Sequence, residues 1–537
     1  MTAVSPGPPA PSLARGAALI TVATTASRAT GFLRVAVVAG AMGTTFLANT
    51  YQTANTAPNL VFELLAAGVL TSVFVPTFIE HLVAGRREEG WDAANALASI
   101  GLVGLIVLAV ALALLAEPAM RLLTLGVDDD VLREREVALG ARFLRMFSPQ
   151  IVFYGLGMIM TAALHAHRRF MLAAVAPIFN NLVVISVYLA YASSRGDRDP
   201  TIAGITDREV LLLGVGTTAG VVAMTVCLVP QLARLGWKPR FSWAPSHPAV
   251  KKGARLGAWA LGYAGGYQAG LIVVLALANR VEGGVAAYQW AYTFFYLPHA
   301  LFGVPLFSVL FTAMAEKAAA NDPEALRERL RTGLGMLVFI LLPVAAILVV
   351  LATPMAVVVL DHGAMGPGDA EQVGRVLAAF ALGLPTYSAF LVLTRAFYAL
   401  SETRVPALVN AAAVLVASVT GAALFFGASA DDRIPGLALG HTIGFALGTF
   451  LLTTALARRI GTLLDDRLAA SIRRAIVATA VMTLTLVGLR MSLVGDVPNL
   501  WNTATTSIFA LAAYVAVAAS MGAPELERLT HALRRAR

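Results

Sequence analysis

Two arginines and a glycine at even spacing carry the first chemical suggestion in this sequence. Arg28, Gly31 and Arg34 stand three residues apart inside a hydrophobic run from about Leu13 to Ala41, so both guanidinium groups lie at bilayer depth. Each costs about 2.5 to 3.5 kcal/mol to hold at the centre of a spanning helix, which points to a wet, protein-lined cavity. A guanidinium stays charged at every relevant pH and grips phosphate or carboxylate oxygens in bidentate fashion. Two of them flanking a glycine suit a phosphate or diphosphate. The competing explanation is snorkelling to an interface or pairing with an internal carboxylate.

Other polar residues sit in apolar surroundings. Glu63, in Pro58-Asn59-Leu60-Val61-Phe62-Glu63, is either the counter-ion of a first-helix arginine or a protonatable switch. Asn59 either hydrogen-bonds a sugar or peptide or ties two helices together. Tyr288, Tyr292 and Tyr296 recur every four residues, with Gln289 and His299 nearby, and form one stripe that either lines a cavity or packs. Arg395 is a further cavity candidate.

The elements that must position these groups are membrane helices. The chain has 537 residues, 58% of them hydrophobic and only 13% charged, and its mean hydropathy is +0.75, which excludes a soluble globular protein. Its 46 glycines suit closely packed helices in lipid. Cys227 is the one cysteine, so no internal disulfide exists. The net charge of +9 is spread through short loops, so membrane topology accounts for it and nucleic acid does not.

Apolar runs of roughly 18 to 25 residues give about fourteen spans. They begin near Leu13, Gln52, Asp92, Val137, Phe170, Glu209, Lys251, Val285, Arg327, Glu371, Val405, Pro435, Ser471 and Asn502. Loops on the side of the termini carry about 25 of the 40 basic residues, against about 10 on the other side, which places both termini in the cytoplasm. The opposite loops carry acidic clusters around Asp128, Asp197, Asp361 and Asp431.

The chain also repeats itself. Ser72-Val73-Phe74-Val75 resembles Ser308-Val309-Leu310-Phe311, and Ala163-Leu164-His165-Ala166 resembles Ala396-Phe397-Tyr398-Ala399, at nearly equal offsets of roughly 236 and 233 residues. The fold expected is all-α and polytopic. It has a tail over 1–12, a six-helix lobe over 13–240, a second six-helix lobe over 241–465, two further helices over 466–524 and a basic tail over 525–537. Repeats of this kind place a substrate site between the lobes near the midplane. No Walker loop, zinc-type Cys/His set or catalytic triad signature is present, and no loop exceeds roughly 30 residues, so a transporter is expected and an enzyme is not.

Several motifs together resemble one family. They are Ser27-Arg28-x-x-Gly31-Phe32-x-Arg34, Ala57-Pro58-Asn59-Leu60, Gly68-Val69-Leu70-x-Ser72-x-Phe74-Val75-Pro76, Arg169-Phe170 followed by Ala176-Pro177-x-x-x-Asn181, and Arg395-Ala396-Phe397-Tyr398-Ala399 ending in Thr403-x-x-Pro406. They resemble the MurJ (MviN) lipid II flippases of the multidrug, oligosaccharidyl-lipid and polysaccharide exporter superfamily, from about residue 13 to about 522. The resemblance implies a flippase that moves the undecaprenyl-diphosphate-linked peptidoglycan precursor from the cytoplasmic to the outer leaflet of the bacterial cytoplasmic membrane. It also implies a cationic cavity between two lobes, a lipid-tail groove on the last two helices, and Arg28 and Arg34 as the essential first-helix arginines.

The substrate-binding set expected on this basis is Arg28, Gly31, Arg34, Asn49, Asn59, Glu63, Gln289, Tyr292 and Arg395. Departures from the family pattern thin its positive charge. Phe62 and Glu63 replace a basic pair, Thr293 replaces an arginine, and Asn49 replaces an acidic residue. The carboxylates through which some members bind sodium are missing. No metal or cofactor is expected, and coupling to a proton or to the membrane potential is left open. Lipid II is the expected partner, with cell-wall synthesis enzymes as further candidates. The alternatives are export of another polyprenyl-diphosphate glycan such as a teichoic acid or capsule unit, a cation-coupled drug exporter, and a non-transporting scaffold. Arrest of peptidoglycan synthesis on depletion separates lipid II from the glycans, efflux assays test the drug exporter, and growth of transport-dead mutants would favour the scaffold.

Overall fold

The computed structural model describes residues 13–65, 87–167, 169–237, 240–243, 265–320, 322–493 and 500–536. Among these every regular element is helical. In chain order they are α1 (Leu13–Met42), α2 (Phe46–Leu65), α3 (Arg87–Leu114), α4 (Ala116–Leu123), α5 (Asp130–Phe147), α6 (Gln150–Ala166), α7 (Phe170–Arg195), α8 (Asp207–Val226) and α9 (Val229–Arg234). Then follow α10 (Gly265–Ala278), α11 (Gly284–Pro298), α12 (Val304–Ala319), α13 (Pro323–Leu360), α14 (Pro367–Ala381) and α15 (Leu384–Ala399). The last five are α16 (Arg404–Gly427), α17 (Arg433–Ile460), α18 (Asp466–Leu493), α19 (Leu500–Ser520) and α20 (Pro524–Ala536).

Eight described helical segments are long and apolar enough to cross a bilayer, or ten if each bent pair counts as one span. The protein is therefore a multi-pass membrane protein. The helix expected from Lys251 begins outside the described residues, as does the Ser72 half of the first repeat pair. The expected start at Gln52 lies six residues inside α2, because Phe46-Leu47-Ala48 already continues the apolar face.

Helix starts follow local chemistry. The Asp129 side chain accepts from the Val131 and Leu132 amides and caps α5. Thr206 and Glu209 form a reciprocal capping box on α8, and Asp322 caps α13 ahead of Pro323. In the cluster around Asp128, Asp129 is thus a helix cap. Asp128, one residue before the α5 cap, instead takes both its hydrogen bonds from Arg280, at 2.5 and 2.6 Å. That guanidinium holds the Asp128 carboxyl below its usual range.

The two halves repeat a detail of packing. Thr218 and Thr225 on α8 donate to the Met146 and Phe153 carbonyls, at 2.7 and 2.9 Å. Thr442 and Thr449 on α17 donate to the Ala379 and Thr386 carbonyls, at 3.0 and 2.7 Å. Each pair is seven residues apart, two turns of one helix face, and receives carbonyls seven apart on a helix broken near its middle, α5–α6 and α14–α15. The carbonyls are 233 residues apart between halves, the same offset as the Ala163 and Ala396 strings that close α6 and α15.

α1 packs along α7, where Asn181 donates to Ser27 O and Thr30 Oγ1 at 3.3 and 3.0 Å. α18 and α19 pack against α13, with the Tyr514 hydroxyl on the Phe339 carbonyl at 2.7 Å. α11 continues into α12 through a wide turn over His299–Gly303, which seats His299 against Ser388 at 2.9 Å.

Candidate functional site

The site begins with α2, whose residues Asn49, Thr53, Thr56 and Glu63 recur at helical spacing and face α10, α11 and the turn between them. Each is engaged there. Asn49 donates to Val281 O at 2.8 Å and accepts from the Val285 amide at 3.0 Å. Thr53 and Asn279 hydrogen-bond each other, Gln289 donates to Thr56 at 2.9 Å, and Gln268 donates to Glu63 at 2.6 Å. In a low-dielectric surrounding such polar pairs fix register between helices.

Beside this ladder lies a polar cavity of about 90 Å³. Arg34 of α1, Gln52 and Asn55 of α2, Asn180 of α7, and Gln289 and Thr293 of α11 are among its walls. The Tyr51 hydroxyl joins Tyr188 and Thr217, two further wall residues, at 3.0 and 2.6 Å. Two wall acceptors, Asn55 Oδ1 and Asn180 Oδ1, are buried with no hydrogen-bond partner among the described residues, as is the donor Trp290 Nε1. An orphaned buried acceptor calls for a donor from water or ligand. The cavity thus offers one fixed positive charge and several amide groups, a combination that suits a phosphorylated, hydroxyl-rich molecule.

Arg28 sits two turns away on α1, exposed, with its guanidinium carbon 5.8 Å from the centre of the Tyr296 ring. Gln289, Thr293 and Tyr296 occupy one face of α11, so this face meets Arg34 at one end and Arg28 at the other. Arg395 is exposed near the end of α15. The Tyr296 ring under Arg28 lies 5.2 Å from the His299 ring.

The remaining expected residues are placed differently. Gly31 turns to α7, where an added Cβ would lie 3.6 Å from Asn181 Nδ2, so it serves helix packing. Asn49 is fully buried, and its amide is engaged by the backbone groups of Val281 and Val285. Glu63 receives Gln268, and no described arginine lies within ion-pairing distance of it, so the counter-ion expectation is not met. Asn59 donates to the Asn55 carbonyl of its own helix at 3.3 Å. Tyr292 points into an aromatic cluster with Phe295, Phe380 and His441, the packing alternative for the tyrosine stripe. Of the wall residues, Gln52, Asn55, Asn180 and Thr217 are additional to the expected set. Gln52 and Asn55 stand three apart on α2, and the Asn180-Asn181 pair interrupts an apolar run, and these were the available signals.

Comparison with known proteins agrees with this geometry. The family described as "MurJ: Lipid II flippase MurJ" matches residues 38–501. A probable lipid II flippase MurJ of Rhizobium tropici is 31% identical over 464 residues, covering 86% of this chain and 84% of the relative. The lipid II flippase MurJ of Burkholderia cenocepacia is 26% identical over 456 residues, covering 82% and 84%. Among solved structures, a lipid II flippase MurJ in an inward closed conformation aligns with a TM-score of 0.75 at 19% identity, covering 93% of this chain and 98% of that one. An inward-facing MATE family multidrug transporter of the MOP superfamily aligns with a TM-score of 0.60 at 14% identity, covering 83% and 94%. The two structures share the fold, while the match over most of the chain decides the family. This chain belongs to the MurJ lipid II flippase family.

Proposed function

We propose that this protein carries lipid II across the bacterial cytoplasmic membrane, from the inner to the outer leaflet, by alternating access. The observation that carries the reading is Arg34 in the wall of an intramembrane cavity whose other polar groups are mainly amides and hydroxyls. A diphosphate calls for guanidinium groups and a disaccharide for amides and hydroxyls. In this reading Arg28 and Arg34 hold the diphosphate and Gln289 with the wall amides holds the sugars. Arg395 adds a further positive charge.

A cavity of about 90 Å³ is far too small for a lipid-linked glycan, so its passage requires the surrounding helices to part. We place that motion between a first lobe over 13–240 and a second over 241–465, within about fourteen spans and with both termini cytoplasmic. The repeated threonine-to-carbonyl pairs favour two such units. The α2 ladder is then the seam between them. The exposed apolar side chains Ile476, Leu484 and Phe509 on α18 and α19 suit a groove for the prenyl tail. Coupling is to a proton or to the membrane potential, and cell-wall synthesis enzymes are the natural partners.

The deciding experiment is lipid II exposure at the outer leaflet of cells depleted of the native protein and supplied with Arg28→Ala, Arg34→Ala or the double variant. Exposure should be lost. Normal exposure with both arginines replaced would overturn the assignment.

A further inference from the structure

A second and larger polar cavity, of about 220 Å³, lies away from Arg34, where α13, α18 and α20 meet. α13 and α18 both begin there, and α19 ends just before α20, so the cavity sits where three spans leave the apolar part of the membrane. Arg467, Ser471 and Arg474 line it from one face of α18, and Glu525 with Arg528 from α20.

The charges divide into engaged and free. Arg331 donates to the Thr462 and Leu463 carbonyls at 2.6 and 2.9 Å and pairs with Asp465 at 3.1 Å, and Asp465 also caps α18 through the Leu468 amide. These two build the wall. Among the described residues, by contrast, Arg467, Arg474 and Arg528 have neither an ion pair nor a side-chain hydrogen bond. Glu525 is only 4% exposed. Its Oε1 accepts from Ser471 at 2.6 Å, while its Oε2 is buried without a partner. Gly335 of α13 makes room at this point, since a Cβ there would come within 3.2 Å of Ser471 Oγ and 3.5 Å of Glu525 Oε1.

We propose that this cavity binds a phospholipid headgroup carrying both a phosphate and an ammonium, of the phosphoethanolamine type. Three free guanidiniums provide for the phosphate oxygens. The orphaned carboxylate oxygen requires a donor, and a compact ammonium supplies three N–H groups with opposite charge. A purely anionic headgroup satisfies the arginines but leaves a carboxylate next to a negative ligand without its cation. The bound lipid joins the start of α13 and the start of α18 to α20. This site is independent of whether the chain flips lipid II.

Native mass spectrometry of the purified full chain with short-chain phosphatidylethanolamine and phosphatidylglycerol tests it. The ammonium lipid should bind roughly tenfold more tightly, because its cation pairs with the Glu525 carboxylate while the glycerol hydroxyls of phosphatidylglycerol bring no positive charge. Glu525→Gln should abolish that preference while keeping phosphatidylglycerol binding, and Arg467→Ala with Arg474→Ala should weaken both lipids. Equal binding of the two lipids by the unaltered protein, or a preference that survives Glu525→Gln, would overturn the proposal. Should Glu525→Gln fail to fold, Arg474→Glu takes its place. It should lose both lipids, and unchanged binding would overturn the site. Soluble O-phosphoethanolamine is the control for source. Weak competition supports a lipid, and competition as strong as that of the lipid itself would overturn the lipid assignment in favour of a small solute.

Discussion

Tyr296 lies beneath the Arg28 guanidinium on the same face of α11 that presents Thr293 to the cavity holding Arg34. One helix face thus serves both arginines. A cation–π contact at an exposed site contributes about 0.5 to 1 kcal/mol. Tyr296→Leu should therefore lower lipid II exposure at most about fivefold, whereas Arg28→Ala should abolish it. Arg34→Lys should fall between them, because it keeps the charge and loses the bidentate geometry. Outer-leaflet labelling of lipid II in vesicles compares the three variants. A Tyr296→Leu defect as deep as that of Arg28→Ala would show that the ring, and not the charge, is the essential group.

Asn49 is predicted to act on stability and not on substrate. Asn49→Ala takes the side-chain acceptor from the Val285 amide, at a cost of about 1 to 3 kcal/mol, and removes one of the two hydrogen bonds of the Val281 carbonyl, which keeps the Gly284 amide at 2.9 Å. Asn49→Asp keeps the acceptor for the amide at the start of α11, where a negative charge is favoured by the helix dipole, and loses only the donor to Val281. Thermal denaturation in detergent should rank the wild type first, Asn49→Asp second and Asn49→Ala last. Equal melting temperatures for all three would remove the clamp.

Fold class and the leading arginines were legible in the sequence because their signals are local. Long apolar runs and guanidiniums at bilayer depth each declare themselves within a few residues. The α2 ladder was less legible. Asn49 and Glu63 look like ligand groups from their surroundings, and only the register between α2 and α10–α11 reveals that Val281, Val285 and Gln268 already occupy them. Gly31 is a similar case. Its position between two arginines suggests the cavity, while the neighbour an added Cβ would meet there is Asn181 of α7. Tyr292 shows that periodicity fixes a helix face but not what covers it.

Glu63 offers a direct test of proton coupling. Glu63→Gln preserves size and still offers Gln268 a carbonyl acceptor, but it can no longer titrate. If Glu63 only ties α2 to α10, lipid II exposure in the variant should stay within about twofold of wild type, an effect below 0.5 kcal/mol. Loss of exposure with a normal melting temperature would make it the coupling carboxylate.

The turn between α1 and α2 closes one end of the molecule and predicts how that end opens. Gly43 has φ of +60°, and a Cβ there would lie 2.6 Å from the Ala364 carbonyl oxygen, so the backbones touch where only glycine fits. Next to it the Ala364 amide donates to Gly40 O at 2.7 Å, and the Thr44 hydroxyl donates to Asp369, whose other oxygen takes the Gly366 amide. Thr44→Val removes one charge-assisted hydrogen bond across this seam without disturbing the Asp369 cap. Its loss costs the closed arrangement about 1.5 kcal/mol or more, which is a shift of about tenfold in population towards any state in which the seam is parted. A cysteine placed at Asn55, in the cavity wall, should then react about tenfold faster with a soluble maleimide added from the side of this seam. Gly43→Ala should do more, since it adds backbone strain of about 1 to 2 kcal/mol to the steric clash. Unchanged labelling in both variants would mean that this seam stays shut through the transport cycle and that the opening lies elsewhere between α1 and α14.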